Sequence, residues 1–469
     1  MKKVAIIGAG FSGLSIGKLL KKSGIPQEDI VIIEGSSRVG GLIQTTEKNG
    51  YHIDWGPQGL HSSSKVVQDY IRDIGLSSLC IGATKNVNKR YLVHKNKIKA
   101  LPSGLFSFLK PFGLISFRSK IRFLKEPFIG KNPSEESLEE FFSRRFGKGM
   151  SPLINAFASG VYGGNHEKIS VNHAFPFFKK LELENGSIVK GGLNYMRMKR
   201  KMKKKSLKTI EKQKKKPFLS SAENGFEDII LHLTKDLPIE INNKVTKITK
   251  KEDYYVISSQ DKTFEAETII LTISPNYLQN VDISSLDLPI NNLRTIQEST
   301  VNVVSLGFDE KDFKTPLKGY GFLSPSTEKR FCLGILFVSS FFPSLAPPGK
   351  VLLRCFVGGV RQPDRASLDE SSLVEGVLKD VKELLNCSEK PELIHIARNN
   401  GIPQLEKGHQ DIIDYKNELE DLNNGLYISG IGWAGISTEY LIKEATALTK
   451  KIKVNLIAER KKLEINVTA

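Results

Sequence analysis

The chain has 469 residues, of which 39% are hydrophobic and 26% are charged, and it carries a net charge of +18. That length accommodates two or three domains with a sizeable core. No run of about 18 uncharged apolar residues occurs, so we expect no transmembrane helix, and the N-terminus lacks the pattern of a secretory signal. We therefore expect a cytoplasmic protein.

The cysteines and histidines argue against two kinds of site. Cys80, Cys332, Cys355 and Cys387 are widely spaced and form no C-x-x-C pair, so we expect neither a disulfide framework nor a zinc site. None of the eight histidines has a second histidine four residues away, which is the spacing typical of metal ligands on a helix. We expect reduced thiols and no metal centre.

Much of the positive charge lies in one segment, residues 197–216, which holds 12 Lys or Arg and a single acid, Glu211. We interpret this segment as a solvated charged insertion, and a patch for anionic lipids is the alternative. Nucleic-acid binding is disfavoured because no aromatic residues interleave with the charges.

The chain begins with a predicted strand–helix–strand unit. The apolar run in "VAIIGAG" predicts a buried parallel strand, "SGLSIGKLLKKSG" predicts a helix that stops at Gly24, and "DIVIIE" predicts the second strand. Gly8, Gly10 and Gly13 have the spacing that lets a pyrophosphate approach a helix N-terminus. Glu34 ends the second strand, where an acid takes the ribose hydroxyls, so the unit predicts a dinucleotide site.

The residues after the second strand indicate which dinucleotide is bound. Arg38, Gly40 and Gly41 follow directly in "GSSRVGG", a pattern found in a large group of FAD enzymes. Physically, the arginine is able to face the pyrophosphate or the flavin, and the paired glycines let the backbone pass close to it. Gly56 and Pro57 in "DWGP" continue the same pattern. We therefore predict FAD.

The rest of the chain alternates between helical and β patterns. Residues 105–180 are rich in Phe and then helical; residues 239–274 predict β-hairpins and an apolar strand, residues 300–360 a sheet, and residues 368–386 an amphipathic helix. The end of the chain, "GLYISGIGWAGISTEYLIKEA", predicts a strand, a glycine turn and a final helix. Because nucleotide-type elements occur at the start, middle and end, we expect a discontinuous first domain.

The final glycine turn provides a second helix N-terminus, which can stabilise negative charge on a reduced flavin ring. The predicted contacts there are Gly430, Gly435, Ile436 and Ser437. A plain turn before a helix is the alternative interpretation.

Over almost its full length the chain resembles the FAD-dependent amine-oxidase-like superfamily and, within it, the oxygen-dependent protoporphyrinogen oxidase family. The segments that carry the resemblance include "ESLEEFFSRRFGKG", "SGVYGGNHEKIS", "LELENGSIVKG" and "GIPQLEKGH", which occur in the family's order. The resemblance implies noncovalent FAD whose N5 accepts hydride, and no protein side chain that is certainly catalytic. It also implies that Val245 in "NKVTKI" contacts the adenosine part through its backbone.

The fold class that follows is α/β, or α+β in a multidomain arrangement. We expect a discontinuous Rossmann-like FAD-binding domain (1–85, 218–280 and 396–469) and a β-sheet substrate domain (86–104 and 281–395). The third unit is a helical membrane-associating domain (105–217) that includes the basic insertion.

The resemblance also implies a substrate site for a large, apolar porphyrinogen with carboxylate arms. Lys99 stands where the family often has a propionate-binding arginine, and a lysine supplies a point charge in place of a fork. Gly160 matches a glycine whose carbonyl faces the pyrrole N–H groups, and Leu323 and Phe342 match residues that pack on the ring faces. The alternatives are a surface lysine and two core residues.

Several departures and alternatives stay open. Asn165 replaces the family's usual aspartate, "GISTEY" lacks the usual residues after the glycines, and Phe106 stands where some relatives have arginine. The substrate is protoporphyrinogen IX or coproporphyrinogen III; another flavin oxidase or desaturase, or an FAD-binding scaffold, is the wider alternative. O2 or another electron acceptor, a monomer or homodimer, and peripheral contact of residues 105–128 with the inner face of the cell membrane complete the expectations.

Overall fold

The computed structural model describes residues 1–102, 117–206 and 217–468, and within them it forms two seven-stranded sheets, two small ribbons and a group of helices. The strands are β1 (Lys2–Ile7), β2 (Ile30–Ile33), β3 (Thr45–Lys48), β4 (Tyr51–Asp54), β5 (Cys80–Gly82), β6 (Arg90–His94), β7 (Lys97–Ala100), β8 (Ser220–Ala222), β9 (Ile239–Glu240), β10 (Val245–Lys250), β11 (Tyr255–Ser259), β12 (Thr263–Leu271), β13 (Glu298–Asp309), β14 (Gly321–Leu323), β15 (Gly334–Phe337), β16 (Lys350–Gly358), β17 (Leu393–Pro403) and β18 (Leu426–Ile428). The helices are α1 (Phe11–Lys22), α2 (Lys65–Asp73), α3 (Phe117–Lys125), α4 (Leu138–Phe146), α5 (Ser151–Tyr162), α6 (Val171–Ala174), α7 (Pro176–Asn185), α8 (Ile188–Ser206), α9 (Glu227–Thr234), α10 (Pro275–Leu278), α11 (Val338–Phe341), α12 (Pro363–Ala366), α13 (Glu370–Leu385), α14 (Gln410–Leu422) and α15 (Thr438–Thr468).

The first sheet contains the predicted strand–helix–strand unit. Its order is β10-β11-β12-β1-β2-β9, with β18 also paired to β12, and β1 runs parallel to both β2 and β12. Successive residues of β1 enter two cores, Val4 on one side and Ala5 on the other, as expected for a strand buried on both faces. The prediction of a Rossmann-like sheet is confirmed, and its carboxyl edge is where such sheets bind ligands.

The second sheet has the order β17-β13-β16-β15-β14-β6-β7 and is mostly antiparallel. One face packs on α13, where Leu373 and Val377 contact strand residues such as Ile335 and Cys355. This confirms the predicted sheet within residues 300–360 and the amphipathic helix that follows. The opposite face of the sheet meets the first domain and α5.

Two segments near the predicted domain boundaries pack with the other sheet. Strand β17, which runs past residue 396, pairs with β13 in the second sheet. Apolar side chains from Val281 to Ile296 pack in a core of the first sheet. We therefore propose a first domain of residues 1–85, 218–297 and 404–469, with the second sheet and its helix forming the other αβ unit.

The helical region is held together by buried charge as well as apolar packing. Arg145 is fully buried and donates to Glu126 (2.9 Å) and Glu182, and Glu126 also accepts from the Ile188 N–H at the start of α8. Removing one partner of such a pair leaves a buried charge uncompensated, at a cost of about 3–5 kcal/mol. The pairs thus fix α4 and α8 relative to each other.

The first half of the basic segment is helical and faces solvent. Helix α8 starts at Ile188 and continues through Ser206, and residues 197–201 are exposed, which agrees with the prediction of a solvated segment. The remaining basic residues, 207–216, lie outside the described residues, as do residues 103–116 of the stretch predicted to touch a membrane, including Phe106. Among the helices of the described part, none is long and apolar enough to cross a bilayer.

Candidate cofactor and substrate site

A cavity of about 590 Å³ opens at the carboxyl edge of the first sheet. Segments from the start, middle and end of the chain form its walls. The predicted cofactor residues that line it are Gly8, Gly10, Glu34, Gly40, Gly41, Pro57, Val245 and Ile436. The structure thus gathers eight residues from five separate sequence segments around one cleft.

The glycines between β1 and α1 have different roles. A side-chain carbon at Gly13 would lie 2.0 Å from the Gly8 carbonyl oxygen and 2.8 Å from Thr272 Oγ1, so close packing of the helix on the strand requires glycine. At Gly10 the nearest protein atom to such a carbon would be the Gly41 Cα at 4.0 Å. The protein leaves the space beside Gly10 open to the cleft, which fits a group that approaches the backbone there.

Glu34 is held at the edge of this cleft. Its carboxylate accepts from the Ala9 N–H (2.7 Å), the Ser36 N–H (2.9 Å) and the Ser36 hydroxyl (2.7 Å). The first of these hydrogen bonds links the Glu34 carboxylate directly to the glycine loop, so the two parts of the predicted nucleotide site are in contact. Each oxygen still has acceptor capacity, which fits ribose hydroxyls.

Arg38 and Gly56 do not line the cleft and instead contact neighbouring protein atoms. The exposed Arg38 donates to the carbonyls of Val39 (3.0 Å) and Gly41, so it holds its own loop and its side chain does not line the cavity. A side-chain carbon at Gly56 would lie 2.1 Å from the Leu42 carbonyl oxygen. The sequence pattern predicted direct contact with the dinucleotide for both residues, whereas the structure gives each of them contacts within the protein.

In the C-terminal turn, Tyr440 of "GISTEY" makes several contacts with the glycine segment. The Tyr440 ring occupies the space beside Gly435, where a side-chain carbon would lie 2.5 Å from it. The Tyr440 hydroxyl donates to Glu444 (2.9 Å), which also accepts from the Gly430 N–H (3.2 Å). Burial and Glu444 raise the pKa of Tyr440, so the phenol remains a donor. The Ser437 hydroxyl accepts from the Tyr440 N–H (3.1 Å) and caps α15.

On the second sheet the structure brings two predicted substrate residues together. A side-chain carbon at Gly160, on α5, would lie 2.2 Å from Leu323 Cδ2 on β14. Leu323 pairs across to Leu92, which pairs in turn with Lys99 on β7. Lys99 is half-buried and has no ion-pair partner within the described residues. Leu323, Leu92 and Lys99 therefore lie along one row of the sheet, and Gly160 of α5 packs against Leu323.

Phe342 does not join this row. It is 0% exposed and packs in a core with Tyr51, Val338 and Phe341. The resemblance predicted a residue that packs on a ring face of the substrate; the structure gives Phe342 the surroundings of a core residue, so we leave it out of the proposed site.

A family model described as flavin containing amine oxidoreductase matches residues 11–408. The chain belongs to this family. It is therefore an oxidoreductase with a flavin cofactor, and the predictions of an enzyme and of a flavoprotein are confirmed. The match begins at the first residue of α1 and covers part of the first sheet, all of the second sheet and the helical region.

Two curated relatives are similar over nearly the whole chain. Coproporphyrinogen III oxidase of Bacillus subtilis (strain 168) is 28% identical, with 95% of this chain and 97% of that protein covered. The mitochondrial protoporphyrinogen oxidase of Nicotiana tabacum is also 28% identical, with 93% and 92% covered. A solved structure from Exiguobacterium sp. 255-15 superposes with a TM-score of 0.78 over 97% of this chain and 99% of that one, at 21% identity, which shows a shared fold.

Sequence reasoning missed two buried polar residues of this flavin oxidoreductase. Arg354, on β16, reaches across to the loop after β4 and donates to the Gly56 carbonyl (2.8 Å). His409 lies within hydrogen-bond distance of the Trp433 carbonyl, with Nε2 at 2.9 Å, and so supports the C-terminal glycine turn. An arginine inside the apolar strand "KVLLRCFVGG" was a visible signal for the first; the histidine stood in "GIPQLEKGH" without a local signal.

Proposed function

We propose that this chain is an FAD-dependent oxidase that converts protoporphyrinogen IX to protoporphyrin IX in haem biosynthesis. The observation that carries the proposal is the full-length likeness to proteins named protoporphyrinogen oxidase and coproporphyrinogen III oxidase. The packing of Gly160 against Leu323 supports it, because these two residues stand at the positions that the sequence assigned to the substrate.

The cleft fits a noncovalent FAD. The open space at Gly10 admits a pyrophosphate that the N-terminus of α1 stabilises, Glu34 is placed for ribose hydroxyls, and Val245 for the adenosine part. Pro57 and Ile436 line the part of the cavity left for the flavin ring. The last cysteine, Cys387, precedes the C-terminal turn, so that turn offers no thiol for a covalent link. When bound, FAD supplies the hydride acceptor.

The chain's own residues bind and orient the substrate. The apolar side chain of Leu323 and the half-buried backbone of Gly160 would hold a large flat ring and exclude water from it. Lys99 attracts one carboxylate arm, with a charge-assisted hydrogen bond. Tautomerisation within the substrate moves the remaining protons, so the proposal assigns no general acid or base to the protein.

The overall reaction removes six electrons and six protons in three two-electron cycles. Three molecules of O2 take them up and form three molecules of hydrogen peroxide, which balances the oxidation. The proposal takes O2 as the acceptor and a monomer or homodimer as the working unit.

Coproporphyrinogen III is the second candidate substrate. The relative from Bacillus subtilis carries that name and covers the chain to the same extent. The two substrates differ in the number of carboxylate arms, and a single lysine at residue 99 is compatible with either. The distinction therefore rests on measurement.

We further propose that the enzyme is cytoplasmic and binds the inner face of the cell membrane peripherally through its helical region. Leu124 and Phe128 are strongly exposed, the latter at 87%, and the Lys190 ammonium lies 5.7 Å from the centre of the Phe128 ring. Exposed rings and leucines beside lysines suit an anionic bilayer. Flotation with vesicles that contain anionic lipid tests this, and protein left at the bottom of the gradient would contradict it.

The deciding experiment incubates the purified protein aerobically with protoporphyrinogen IX and, separately, with coproporphyrinogen III. We expect porphyrin fluorescence to appear together with three equivalents of hydrogen peroxide. Fluorescence with the second substrate alone would transfer the assignment to coproporphyrinogen III. No oxidation of either, in a protein that is yellow with FAD, would point to an amine oxidase, a desaturase or a binding scaffold.

A further inference from the structure

Arg354 is a buried arginine on the face of the second sheet that meets the first domain. It is 1% exposed and pairs with Leu336 on the neighbouring strand. Two residues further along β16, Phe356 pairs with Gly334. Gly334 in turn pairs with Leu323. Because residues two apart on a strand share a face, Arg354 and Leu323 stand on the same side of the sheet.

The guanidinium of Arg354 holds one short loop of the first domain. Nη2 donates to the carbonyls of Gly56 (2.8 Å) and Trp55 (3.2 Å), and Nη1 donates to the Gln58 side chain. Between these contacts stands Pro57, which lines the cofactor cavity. The loop from residue 55 to residue 58 is therefore fixed from outside by a residue about 300 positions away in sequence.

The guanidinium of Arg354 forms no ion pair with the described residues. Within the described part of the chain no carboxylate lies within ion-pair distance of it, and its buried Nε has no hydrogen-bond partner. The acid whose charge acts on Arg354 is Asp54, which is also buried and accepts from Thr45 and from the Phe226 N–H (2.8 Å). Burial raises the pKa of Asp54 although Arg354 opposes the shift, so this acid compensates the arginine poorly.

A buried cation without a partner is costly, and it stabilises any anion that forms beside it in a medium of low polarity. The proposed occupant of the cavity gains negative charge when it is reduced. We propose that Arg354 is a positioning residue that holds the 55–58 loop against the flavin and, through its unpaired charge, favours the reduced flavin. This inference rests on the FAD site proposed above.

Arg365 provides a matched control within the same chain. It too donates to two backbone carbonyls, Arg330 (2.7 Å) and Phe331 (2.9 Å), and to a glutamine side chain, Gln362 (2.8 Å). It stacks near a phenylalanine as Arg354 does. Its partners lie in loops of the second sheet. Replacing Arg365 therefore removes similar hydrogen bonds, and should lower the free energy of unfolding, without changing the 55–58 loop.

The experiment measures the midpoint potential of the FAD-loaded protein by spectroelectrochemical titration, for wild type, Arg354→Met, Arg354→Lys and Arg365→Met. We expect Arg354→Met to disfavour reduction at least tenfold, a fall of about 30 mV for a two-electron couple. Arg354→Lys keeps the charge and should retain most of the wild-type potential, while its altered loop changes the visible flavin spectrum. Arg365→Met should match wild type in both.

An Arg354→Met potential equal to that of Arg365→Met would overturn the inference and leave the proposed function standing. If Arg354→Met does not fold, Gln58→Glu takes its place, since it sets a carboxylate against the guanidinium and should also lower the potential; an unchanged value there would overturn the inference. Wild-type protein that binds no FAD would overturn both the inference and the proposed function.

Discussion

The cofactor cleft and the substrate face of the second sheet are built in opposite ways. In the cleft, backbone makes much of the surface: glycines at residues 8, 10, 40 and 41 line it, and the space beside Gly10 is open. On the sheet, side chains make the surface, and they come from strands that register brings together, as with Leu323, Leu92 and Lys99. The cofactor cleft therefore depends on residues without side chains, whereas the substrate face depends on the side chains that the strands supply.

Substitutions in the α1 turn should show the largest effects and break this contrast if it is wrong. Gly10→Val adds atoms only to the open cleft, so we expect a folded protein that retains no flavin.

Gly13→Ala sets a methyl 2.0 Å from the Gly8 carbonyl oxygen, which should lower the free energy of unfolding by about 3 kcal/mol through overpacking. Urea unfolding and the flavin absorbance of the purified proteins measure both, and a yellow Gly10→Val protein would refute the cleft assignment.

Gly160→Ala sharpens the same contrast on the substrate side. The added methyl would lie 2.2 Å from Leu323 Cδ2 and should push that side chain toward the substrate. We expect turnover to fall about 100-fold, while stability holds or rises because alanine is the better helix residue by about 1 kcal/mol. The double variant with Leu323→Ala should recover part of the turnover; additive losses in kcat/KM would show that the two residues do not share one surface.

Lys99→Met tests whether the positive charge of Lys99 contributes to substrate binding on this face of the second sheet. Losing one charge-assisted hydrogen bond of about 1.5–3 kcal/mol should raise KM for the porphyrinogen about tenfold or more, with kcat changed less. Lys97→Met, an exposed lysine two residues along the same strand, is the control and should leave KM unaltered. Equal effects of the two variants would assign Lys99 to the general surface charge of the chain.

The same contrast explains how far sequence reasoning reached. Gly8, Gly10, Gly13 and Glu34 lie within one local unit, so their spacing predicted the strand–helix–strand unit and the part of the cleft that it forms. Val245 was predicted only from the family resemblance. Phe342 matched a family position yet lies in the core, because its surroundings are set by strands and a loop far from it in sequence.

Arg354 shows the limit from the other side. Its partners, Trp55, Gly56 and Gln58, are about 300 residues away, and no local pattern encodes a contact of that range. The basic segment was likewise interpreted from composition, which predicted its exposure but not that α8 continues through Ser206.

The last expected effect appears only on acidification and concerns His409, whose side chain supports the C-terminal glycine turn. Burial, and then the neighbouring His173 and Arg294, lower its pKa to about 4, against the opposing hydrogen bond to Trp433 and charge of Glu135. The unfolded chain binds a proton near pH 6.5 and the folded chain near pH 4, so this stabilisation is full above pH 6.5 and is lost as pH falls toward 4. Over that window it amounts to on the order of 3 kcal/mol. His409→Gln should flatten the acid limb in urea unfolding measured from pH 7.5 to pH 4.5, whereas His232→Gln, which removes another histidine near a backbone carbonyl (3.1 Å), should keep it. An unchanged slope in His409→Gln would assign the acid sensitivity to other groups and leave the turn supported by backbone alone.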